Sequence, residues 1–316
     1  MDYAIETRDL SKTYNGRIHA LKGINLRVRT ASCFGLLGPN GAGKSTLVKT
    51  LLSIVHASNG AAQLLGRDHR DPAARKTVGY LPEGHRFPLY LTGRGVCQYF
   101  GQLAGLSGAE LARDIDAKLA LVTMSEWADT RVGKYSKGML QRLGLAQAML
   151  GNPAILFLDE PTDGVDPVGR FELRNLIRSI QASGTTIFLN SHLLSEVEEI
   201  CDEIAILHRG SIMQQGSVAS ITASVGGHGK NCLVTFTTSP IAAELLLRLA
   251  PTATVHNDQR GFQVSLDSES GISALIDLLR QNRVDIFGIE QARIDLEDAF
   301  IELIKSPPDA TARTNP

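Results

Sequence analysis

The sequence predicts an α/β protein built on a parallel sheet, with a helical insertion and a small C-terminal α+β domain. Three observations support this prediction. The run AILFLDE (154–160) is almost continuously apolar and lies between two prolines, as expected of a parallel strand buried on both faces. Strand and helix patterns alternate on either side of it. Beyond about residue 220 the pattern changes to the order β-α-β-β-α-β, the split-βαβ arrangement.

The chain up to about residue 150 predicts short strands, one helix and then a helical region. Residues 1–30 predict short strands separated by turns, one of which is YNG at 14–16. SCFGLLG (32–38) predicts an apolar strand, and KSTLVKTLLSIV (44–55) predicts the helix that follows it. KTVGYLP (76–82) predicts another strand. Residues from about 88 to 150 are mostly helical in pattern, and we therefore expect a helical subdomain inserted into the α/β core.

The α/β pattern resumes after the insertion. Asp166 and Pro167 are expected to start a helix as its N-cap and first-turn proline, and Gly184 to end it. The apolar positions of that helix fall on one face; they are Leu173, Leu176, Ile177 and Ile180. TTIFLN (185–190), LLSEVEEIC (193–201) and EIAILH (203–208) continue the alternation as strand, helix and strand.

These patterns predict a main domain over residues 1–222, an accessory α+β domain over 223–305 and a disordered tail over 306–316. SVGGHGKN (224–231) is expected to link the domains. The expected elements of the accessory domain are strands at 232–237, 252–257, 261–266 and 284–290 and helices at 240–250 and 271–281.

Composition narrows the class of protein. The chain has 316 residues, of which 43% are hydrophobic and 21% charged, with a net charge of -1. No segment approaches the roughly 18 consecutive apolar residues that a bilayer span requires. The N-terminus MDYAIETRDL lacks the basic and apolar blocks of a signal peptide, and we expect a cytoplasmic protein. The balanced charge argues against nucleic acid as a partner, since that needs a basic face.

Cysteine usage agrees with that compartment. The four cysteines are Cys33, Cys97, Cys201 and Cys232. They lie far apart, form no CxxC pair and occur in apolar or helical contexts, which predicts reduced thiols.

The stretch GPNGAGKST (38–46) predicts a phosphate-binding loop. It satisfies G-x-x-x-x-G-K-[ST] and lies between a predicted strand and a predicted helix. Glycines allow successive backbone N–H groups to face phosphate oxygens, and the helix N-terminus adds a favourable dipole. Lys44 can reach the β- and γ-phosphates, and the Ser45 hydroxyl can bind Mg²⁺. The residues expected around the phosphates are Gly38, Pro39, Asn40, Gly41, Ala42, Gly43, Lys44, Ser45 and Thr46.

The strand AILFLDE supplies the second half of such a site. It ends in two adjacent acids, Asp159 and Glu160. Neighbouring strand residues point to opposite faces, so one carboxylate can approach Mg²⁺ while the other addresses a water molecule. Together the two segments predict a P-loop nucleotide hydrolase.

Further motifs resemble those of the ATP-binding-cassette (ABC) transporter ATPases, in the family's order and over residues 3 to about 220. Tyr14 stands where the family stacks an aromatic ring on adenine. YSKGM (135–139) occupies the place of the signature LSGGQ, and DGVD (163–166) matches the loop at the dimer interface. His192 ends the next strand, at the position of the family's switch histidine. The resemblance implies a P-loop NTPase core with an N-terminal antiparallel β subdomain and an inserted helical subdomain.

The resemblance also implies roles for individual residues and a requirement for ATP and Mg²⁺. The implied catalytic residues are Glu160, His192 and Lys44. Beyond the phosphate loop, the implied nucleotide-contacting residues are Tyr14, Glu83, Ser136, Gly138 and Asp166. The implied metal ligands are Ser45, Glu83 and Asp159. Ser136 and Gly138 would donate to the nucleotide of a second copy, which implies a head-to-tail homodimer.

Two positions depart from the family pattern. Glu83 in YLPEG stands where the family usually has glutamine; a carboxylate can still contact Mg²⁺ through oxygen, but it adds negative charge and loses a donor. Lys137 replaces one glycine of the signature. We expect Lys137 to be tolerated if its side chain points away, and it could place a positive charge near a phosphate.

YLPEG (80–84), YSKGMLQR (135–142) and LEDAFIEL (296–303) resemble the exporter branch in which ATPase and membrane subunits are separate chains. This implies a permease of about six transmembrane helices and a peripheral location on the inner face of the cell membrane. The span 84–93 is expected to expose Phe87, Pro88 and Tyr90 to that permease. The alternative is that it packs on the helical insertion.

Other functions compete with this one. A non-transport ABC ATPase of translation or DNA repair usually carries two cassettes or long coiled-coil or zinc insertions, which this sequence lacks. A P-loop small-molecule kinase would leave YSKGM and His192 unexplained. The C-terminal domain could act as a ligand sensor or interaction module, but it shows no catalytic or metal-ligand spacing, which favours a regulatory or dimer-supporting role.

Overall fold

The computed structural model describes residues 2–226, 232–241, 254–255, 261–266, 269–291 and 296–305. The chain forms two compact units, the first ending at Val218 and the second starting at Ala219. The sequence-based boundary was four residues later, at 222/223. Most of the predicted linker, residues 242–250 of a predicted helix and the predicted tail at 306–316 lie outside the described residues.

Within its described residues the first unit contains ten strands and seven α-helices, and an eighth α-helix begins at Val218. The strands are β1 (Tyr3–Tyr14), β2 (Ile18–Arg29), β3 (Cys33–Leu37), β4 (Asn59–Leu64), β5 (Arg67–Asp68), β6 (Val78–Leu81), β7 (Ile155–Asp159), β8 (Thr186–Asn190), β9 (Glu203–His208) and β10 (Ser211–Gly216). The helices are α1 (Lys44–Leu51), α2 (Pro72–Arg75), α3 (Gly93–Leu103), α4 (Gly108–Leu121), α5 (Lys137–Ala148), α6 (Pro167–Ala182), α7 (Leu194–Ile200) and α8 (Val218–Gly226).

The N-terminal segment forms an antiparallel sheet of four strands in the order β2-β1-β4-β5. Its first two strands are each 12 residues long, so the prediction of short strands was wrong. The pairing of β1 with β2 shifts register between Thr7 and Leu10, where Asp9 has a φ of 46°. Such irregularities interrupt the alternation of apolar and polar residues. One long strand therefore looks like two short ones in the sequence.

The central sheet has six strands in the order β10-β9-β3-β8-β7-β6, all parallel except β10. Every residue of β3, β7 and β8 is buried, which accounts for their continuous apolar sequences. In this register Asn190 pairs with both Leu36 of β3 and Asp159 of β7. The carboxyl ends of the three strands thus meet at one edge, directly below the phosphate loop.

The helical insertion comprises α3, α4 and α5. Thr92 caps α3 by accepting a hydrogen bond from Gly95 N at 3.0 Å, and Ser136 caps α5 by accepting one from Met139 N at 3.2 Å. The prediction that Phe87 is exposed was wrong: it is only 8% exposed. Its ring lies 6.0 Å from that of Phe100 on α3, so it packs on the insertion, whereas Pro88 and Tyr90 are exposed.

The second unit is an α+β domain with its own sheet. Its described elements are β11 (Cys232–Thr238), β12 (Thr254–Val255), β13 (Gly261–Leu266), α9 (Glu269–Gln281), β14 (Ile286–Gln291) and α10 (Leu296–Lys305). The sheet order is β12-β13-β11-β14, with antiparallel neighbours, as the split-βαβ arrangement requires. Its core contains Phe236 and Phe262, whose rings stack at a centroid distance of 5.1 Å.

Among all the helices in the described part of the chain, none has both the length and the apolar composition that a membrane span requires.

Candidate nucleotide-binding site

The phosphate loop connects β3 to α1 and is shaped by its glycines. A Cβ on Gly43, where φ is 111°, would lie 2.4 Å from the carbonyl oxygen of Ala20. A Cβ on Gly38 would lie 2.3 Å from the carbonyl oxygen of Leu207. Neither contact is tolerable, and both are with backbone that cannot yield. The loop is thus held against β2 and β9, and its geometry requires glycine at both positions.

Lys44 points back into this loop. Its side chain is largely buried, and Nζ donates to Gly38 O at 2.6 Å and to Pro39 O at 3.4 Å. Burial lowers the pKa of the Lys44 ammonium, and the carboxylates of Glu160 and Asp159 oppose that shift. The arrangement places a cation at the helix N-terminus, where anions already find a favourable dipole.

Asp159 is the last residue of β7 and Glu160 follows it, and the two acids have different hydrogen-bond partners. Asn190 Nδ2 donates to Asp159 Oδ1, and the backbone N–H of Glu160 donates to Asn190 O at 2.8 Å. Glu160 has a φ of 52°, a left-handed conformation that turns the chain sharply out of the strand. Burial raises the pKa of Asp159, and the Asn190 hydrogen bond opposes it. The sequence predicted both acids but not Asn190, whose side chain bonds Asp159 and whose backbone carbonyl bonds Glu160.

Glu160 forms a close pair with His192. His192 Nδ1 lies 2.7 Å from Glu160 Oε2. A carboxylate accepts hydrogen bonds, so the assignment consistent with this contact places a proton on Nδ1. Burial raises the pKa of Glu160, while the charge and hydrogen bond of His192 oppose that rise. The pair is suited to orienting a water molecule or a phosphate oxygen.

A cleft of about 680 Å³ opens above these groups. It is lined by Ile18, His19, Ala20, Lys22, Asn40, Gly41, Ala42, Gly43, Lys44, Ser45, Thr46, Glu83, Glu160, Asn190, His192, Arg209 and Gly210. The structure therefore brings together most of the phosphate loop, Glu83, Glu160 and His192. It also adds basic groups that the sequence analysis did not single out, Lys22 and Arg209 among them.

Oxygen donors at the cleft suit a hard cation. The Ser45 hydroxyl and the Glu83 carboxylate line it, and the charge of Glu83 raises the pKa of Asp159, which places the two acids within electrostatic reach. Across the described residues there is no cluster of three or more His, Cys, Asp or Glu side chains able to hold a metal. A cation here would thus depend on phosphate oxygens for part of its shell.

Seven predicted site residues do not line this cleft: Gly38, Pro39, Asp159, Tyr14, Ser136, Gly138 and Asp166. Tyr14 ends β1, with Lys12 Nζ 4.9 Å from its ring centroid. Ser136 is the N-cap of α5, and Asp166 caps α6 by accepting from Gly169 N at 2.7 Å. A Cβ on Gly138 would lie 3.6 Å from the Val165 side chain, so the signature segment adjoins the DGVD loop.

Lys137 makes a contact that the sequence analysis missed. Its Nζ lies 3.0 Å from Asp163 Oδ2, and both side chains are 56% exposed. The Lys137 side chain lies against Gly164, and a Cβ added to Gly164 would be 1.8 Å from Lys137 Nζ. The substituted signature residue is therefore engaged with the DGVD loop of its own chain.

Glu196 is another residue that the sequence analysis missed. It is 2% exposed, and its two carboxylate oxygens each accept from Thr162 Oγ1 at 2.7 Å. Ser191 Oγ donates to it at 3.5 Å. One buried acid in the first turn of α7 thus joins the segment after Glu160 to the segment before His192. An acid four positions after His192 on an amphipathic helix was the available signal.

Comparison with known proteins identifies the family to which this chain belongs. The ABC transporter family model matches residues 21–163. An uncharacterized ABC transporter ATP-binding protein of Synechocystis is 37% identical, over 95% of this chain and 84% of that protein. The Nod factor export ATP-binding protein I of Burkholderia thailandensis is 34% identical, over 79% and 81%. A solved ATP-binding subunit of an ABC transporter matches with a TM-score of 0.64 and 29% identity, over 71% of this chain and 93% of that chain.

The phosphate loop, the paired acids of β7 and the glutamate–histidine pair occur here within the fold that these relatives share. The chain belongs to the ATP-binding subunits of ABC transporters, which hydrolyse ATP and pair with separate membrane permeases.

Proposed function

We propose that this subunit powers export by closing, with ATP, a head-to-tail homodimer beneath its permease. The observation that carries the proposal is the cleft in which Lys44 faces the Glu160–His192 pair. Export is supported by similarity over most of the chain to a protein of Nod factor export.

Each group in the cleft has a distinct task. Lys44 and the loop amides balance the charge of the phosphates, Glu160 polarises the attacking water, and His192 contacts the γ-phosphate. The work is positioning and electrostatic stabilisation in a partly buried site, where each contact is worth more than in water. Tyr14 offers a ring for adenine.

Mg²⁺ would be held by Ser45 and Asp159, with Glu83 as a further carboxylate. The ion supplies charge neutralisation between the β- and γ-phosphates when it is bound. The buried carboxylate of Asp159 and the hydroxyl at the first turn of α1 are the oxygen donors that such an ion prefers. The remaining ligands would be phosphate oxygens and water.

A second copy completes the site. Ser136 and Gly138 lie at the start of α5 and do not line the cleft of their own chain. The N-terminus of a helix presents unpaired N–H groups, and these suit the phosphates of a facing chain. Asp166 and the rest of DGVD adjoin this helix start, so both segments would lie at the same interface.

The test is Glu160→Gln. It keeps an acceptor for His192 Nδ1 but removes the charge that polarises water. We expect ATP binding to persist, hydrolysis to fall by about 100-fold or more, and ATP-bound dimers to accumulate in sedimentation experiments. Glu198→Gln, on the exposed side of α7, is the matched control and should behave as wild type. A monomeric Glu160→Gln chain with full turnover would contradict both the role and the assembly.

The permease, of about six transmembrane helices, would hold this subunit at the cytoplasmic face of the membrane. Leu89 and Tyr90 are 68% and 74% exposed in the loop that follows Glu83, and they offer an apolar docking surface. We expect Leu89→Ala with Tyr90→Ala to abolish co-purification with the permease while ATP binding remains. Ile54→Ala, which alters another exposed apolar side chain after α1 (59% exposed), should leave the complex intact. Unchanged assembly in the double variant would exclude this surface.

A further inference from the structure

The loop that carries Glu83 is attached directly to the helix that carries the signature. His85 follows Glu83 by two positions, and its Nε2 lies 3.1 Å from Leu140 O in the first turns of α5. A carbonyl oxygen can only accept, so the assignment consistent with the contact places the proton on Nε2. Among the described residues Nδ1 of the same ring has no hydrogen-bond partner, although it is buried. All of the ring's polar bonding is therefore directed at α5.

A glycine in the middle of α5 makes this contact possible. A Cβ on Gly144 would lie 2.7 Å from His85 Nε2 and 2.6 Å from Leu81 Cδ1. Glycine costs about 1 kcal/mol relative to alanine inside a helix, so its presence at this position needs a structural reason. Because Gly144 has no side chain, the imidazole of His85 can approach the backbone of α5 closely. On its other side the ring lies 5.2 Å from the buried ring of Phe87.

We propose that His85 is a positioning residue that fastens the Glu83 loop to α5, so that the two respond to nucleotide as one piece. The inference rests on the proposed function. Glu83 lines the cleft in which this chain would bind its own ATP, whereas Ser136 and Gly138 begin the helix that would face the partner's ATP. His85 thereby links occupancy of one nucleotide site to the donors that complete the other.

The test compares His85 variants in the Glu160→Gln chain, measuring two quantities. The first is the affinity of the single chain for a fluorescent ATP analogue; the second is the ATP concentration that gives half-maximal dimer. His85→Leu should leave the affinity within about twofold and raise the dimerisation concentration about fivefold or more, as the loss of one hydrogen bond implies. His85→Gln, whose amide nitrogen can reach Leu140 O, should restore dimerisation to within about twofold.

Two further variants separate this role from simple packing. Gly144→Ala should impair dimerisation as His85→Leu does, because the new methyl group displaces the imidazole, even though alanine favours the helix. His56→Leu, at an exposed histidine after α1, should have no effect. If the leucine variant does not fold, as judged by circular dichroism, His85→Gln and His85→Asn decide the question, since the shorter asparagine cannot reach α5.

The outcomes are distinguishable. A Glu160→Gln chain that stays monomeric with ATP overturns the proposed function, and this inference with it. If the Glu160→Gln parent dimerises with ATP and His85→Leu does not change the ATP concentration required, the inference is overturned but the proposed function is not. A glutamine variant as defective as the leucine variant also overturns it, because the hydrogen bond would then not be what matters.

Discussion

At the scale of single residues, the adjacent carboxylates of Asp159 and Glu160 are costly to ionise. Both lie at the buried end of β7, and burial is the main cause that raises the pKa of each. Lys44 opposes the rise at both positions. In the chain without ligand, ionisation of Asp159 therefore lowers the free energy of unfolding. We attribute this loss of stability to the demands of function at the end of β7.

We therefore expect Asp159→Asn to raise the free energy of unfolding by an amount that depends on pH. A carboxyl whose pKa is raised by folding binds its proton more tightly in the folded chain than in the unfolded one. The unfolding free energy of the wild type should thus fall as pH rises from the unfolded value, about 3.9, through the raised folded value. Asparagine lacks this charge but keeps an oxygen for Asn190. Without nucleotide, the variant should be the more stable chain at neutral pH, and the advantage should shrink towards pH 4.

Urea unfolding at several pH values measures this difference. Glu198→Gln, an exposed neighbour on α7, should show no comparable change. ATP with Mg²⁺ should reverse the order, because the variant loses the carboxylate that we propose as a metal ligand. A variant that is less stable than wild type at neutral pH, or whose advantage grows in acid, would contradict the argument.

Residue types were predictable from sequence where the chemistry is local. The phosphate loop carries its geometry in its own glycines, so GPNGAGKST predicted that segment without reference to the rest of the chain. The amide of Asn190 was not predictable as the partner of Asp159. That contact depends on β8 lying beside β7 in one particular register, which no local pattern specifies.

At the scale of elements, α5 and the DGVD loop are joined by the Lys137–Asp163 pair. Both side chains are well exposed, and such pairs contribute about 0–1 kcal/mol. The steric relation is the stronger one. Gly164 has a φ of 66°, and the lysine side chain occupies the space where its Cβ would be.

We therefore expect Gly164→Ala to destabilise the chain for two separable reasons. The left-handed backbone costs alanine about 1–2 kcal/mol, and the new methyl group displaces Lys137. In a Lys137→Ala background the second reason disappears, so a double-mutant cycle on unfolding free energy should give a coupling of about 0.5 kcal/mol or more.

Gly16→Ala provides the matched control for this cycle. Its φ is 67°, and nothing lies within 4 Å of the position of its Cβ. Its cost should be the same with and without Lys137. If Gly164→Ala and Gly16→Ala show the same coupling energy with Lys137→Ala, the Lys137 side chain does not obstruct a methyl group at position 164.

Element types were predictable, but their neighbours were not. The Asp166–Pro167 pair predicted the start of α6. Phe87 was placed on the surface because its own segment shows little helical pattern. Its burial depends on Phe100 of α3, which the fold brings to it from elsewhere in the chain.

At the scale of the whole molecule, the two units have separate hydrophobic cores. One core joins the N-terminal and central sheets and includes Phe34, Phe157 and Phe188. The other belongs to the second unit and includes Phe236 and Phe262. All residues of the nucleotide cleft lie in the first unit. Nucleotide should thus stabilise one core directly and the other only to the extent that the units unfold together.

We predict two unfolding transitions, of which ATP with Mg²⁺ shifts only one. The chain has a single tryptophan, Trp127, and it lies in the first unit, so tryptophan fluorescence reports that unit alone. In the Glu160→Gln chain, ligand at a hundredfold excess over Kd should add about 2.7 kcal/mol to the fluorescence-monitored unfolding free energy. Far-ultraviolet circular dichroism reports both units and should show a second transition that does not respond to ligand. Coincident transitions that shift together would instead show that the units fold as one cooperative body, because a ligand bound by one unit can stabilise the other only through shared unfolding.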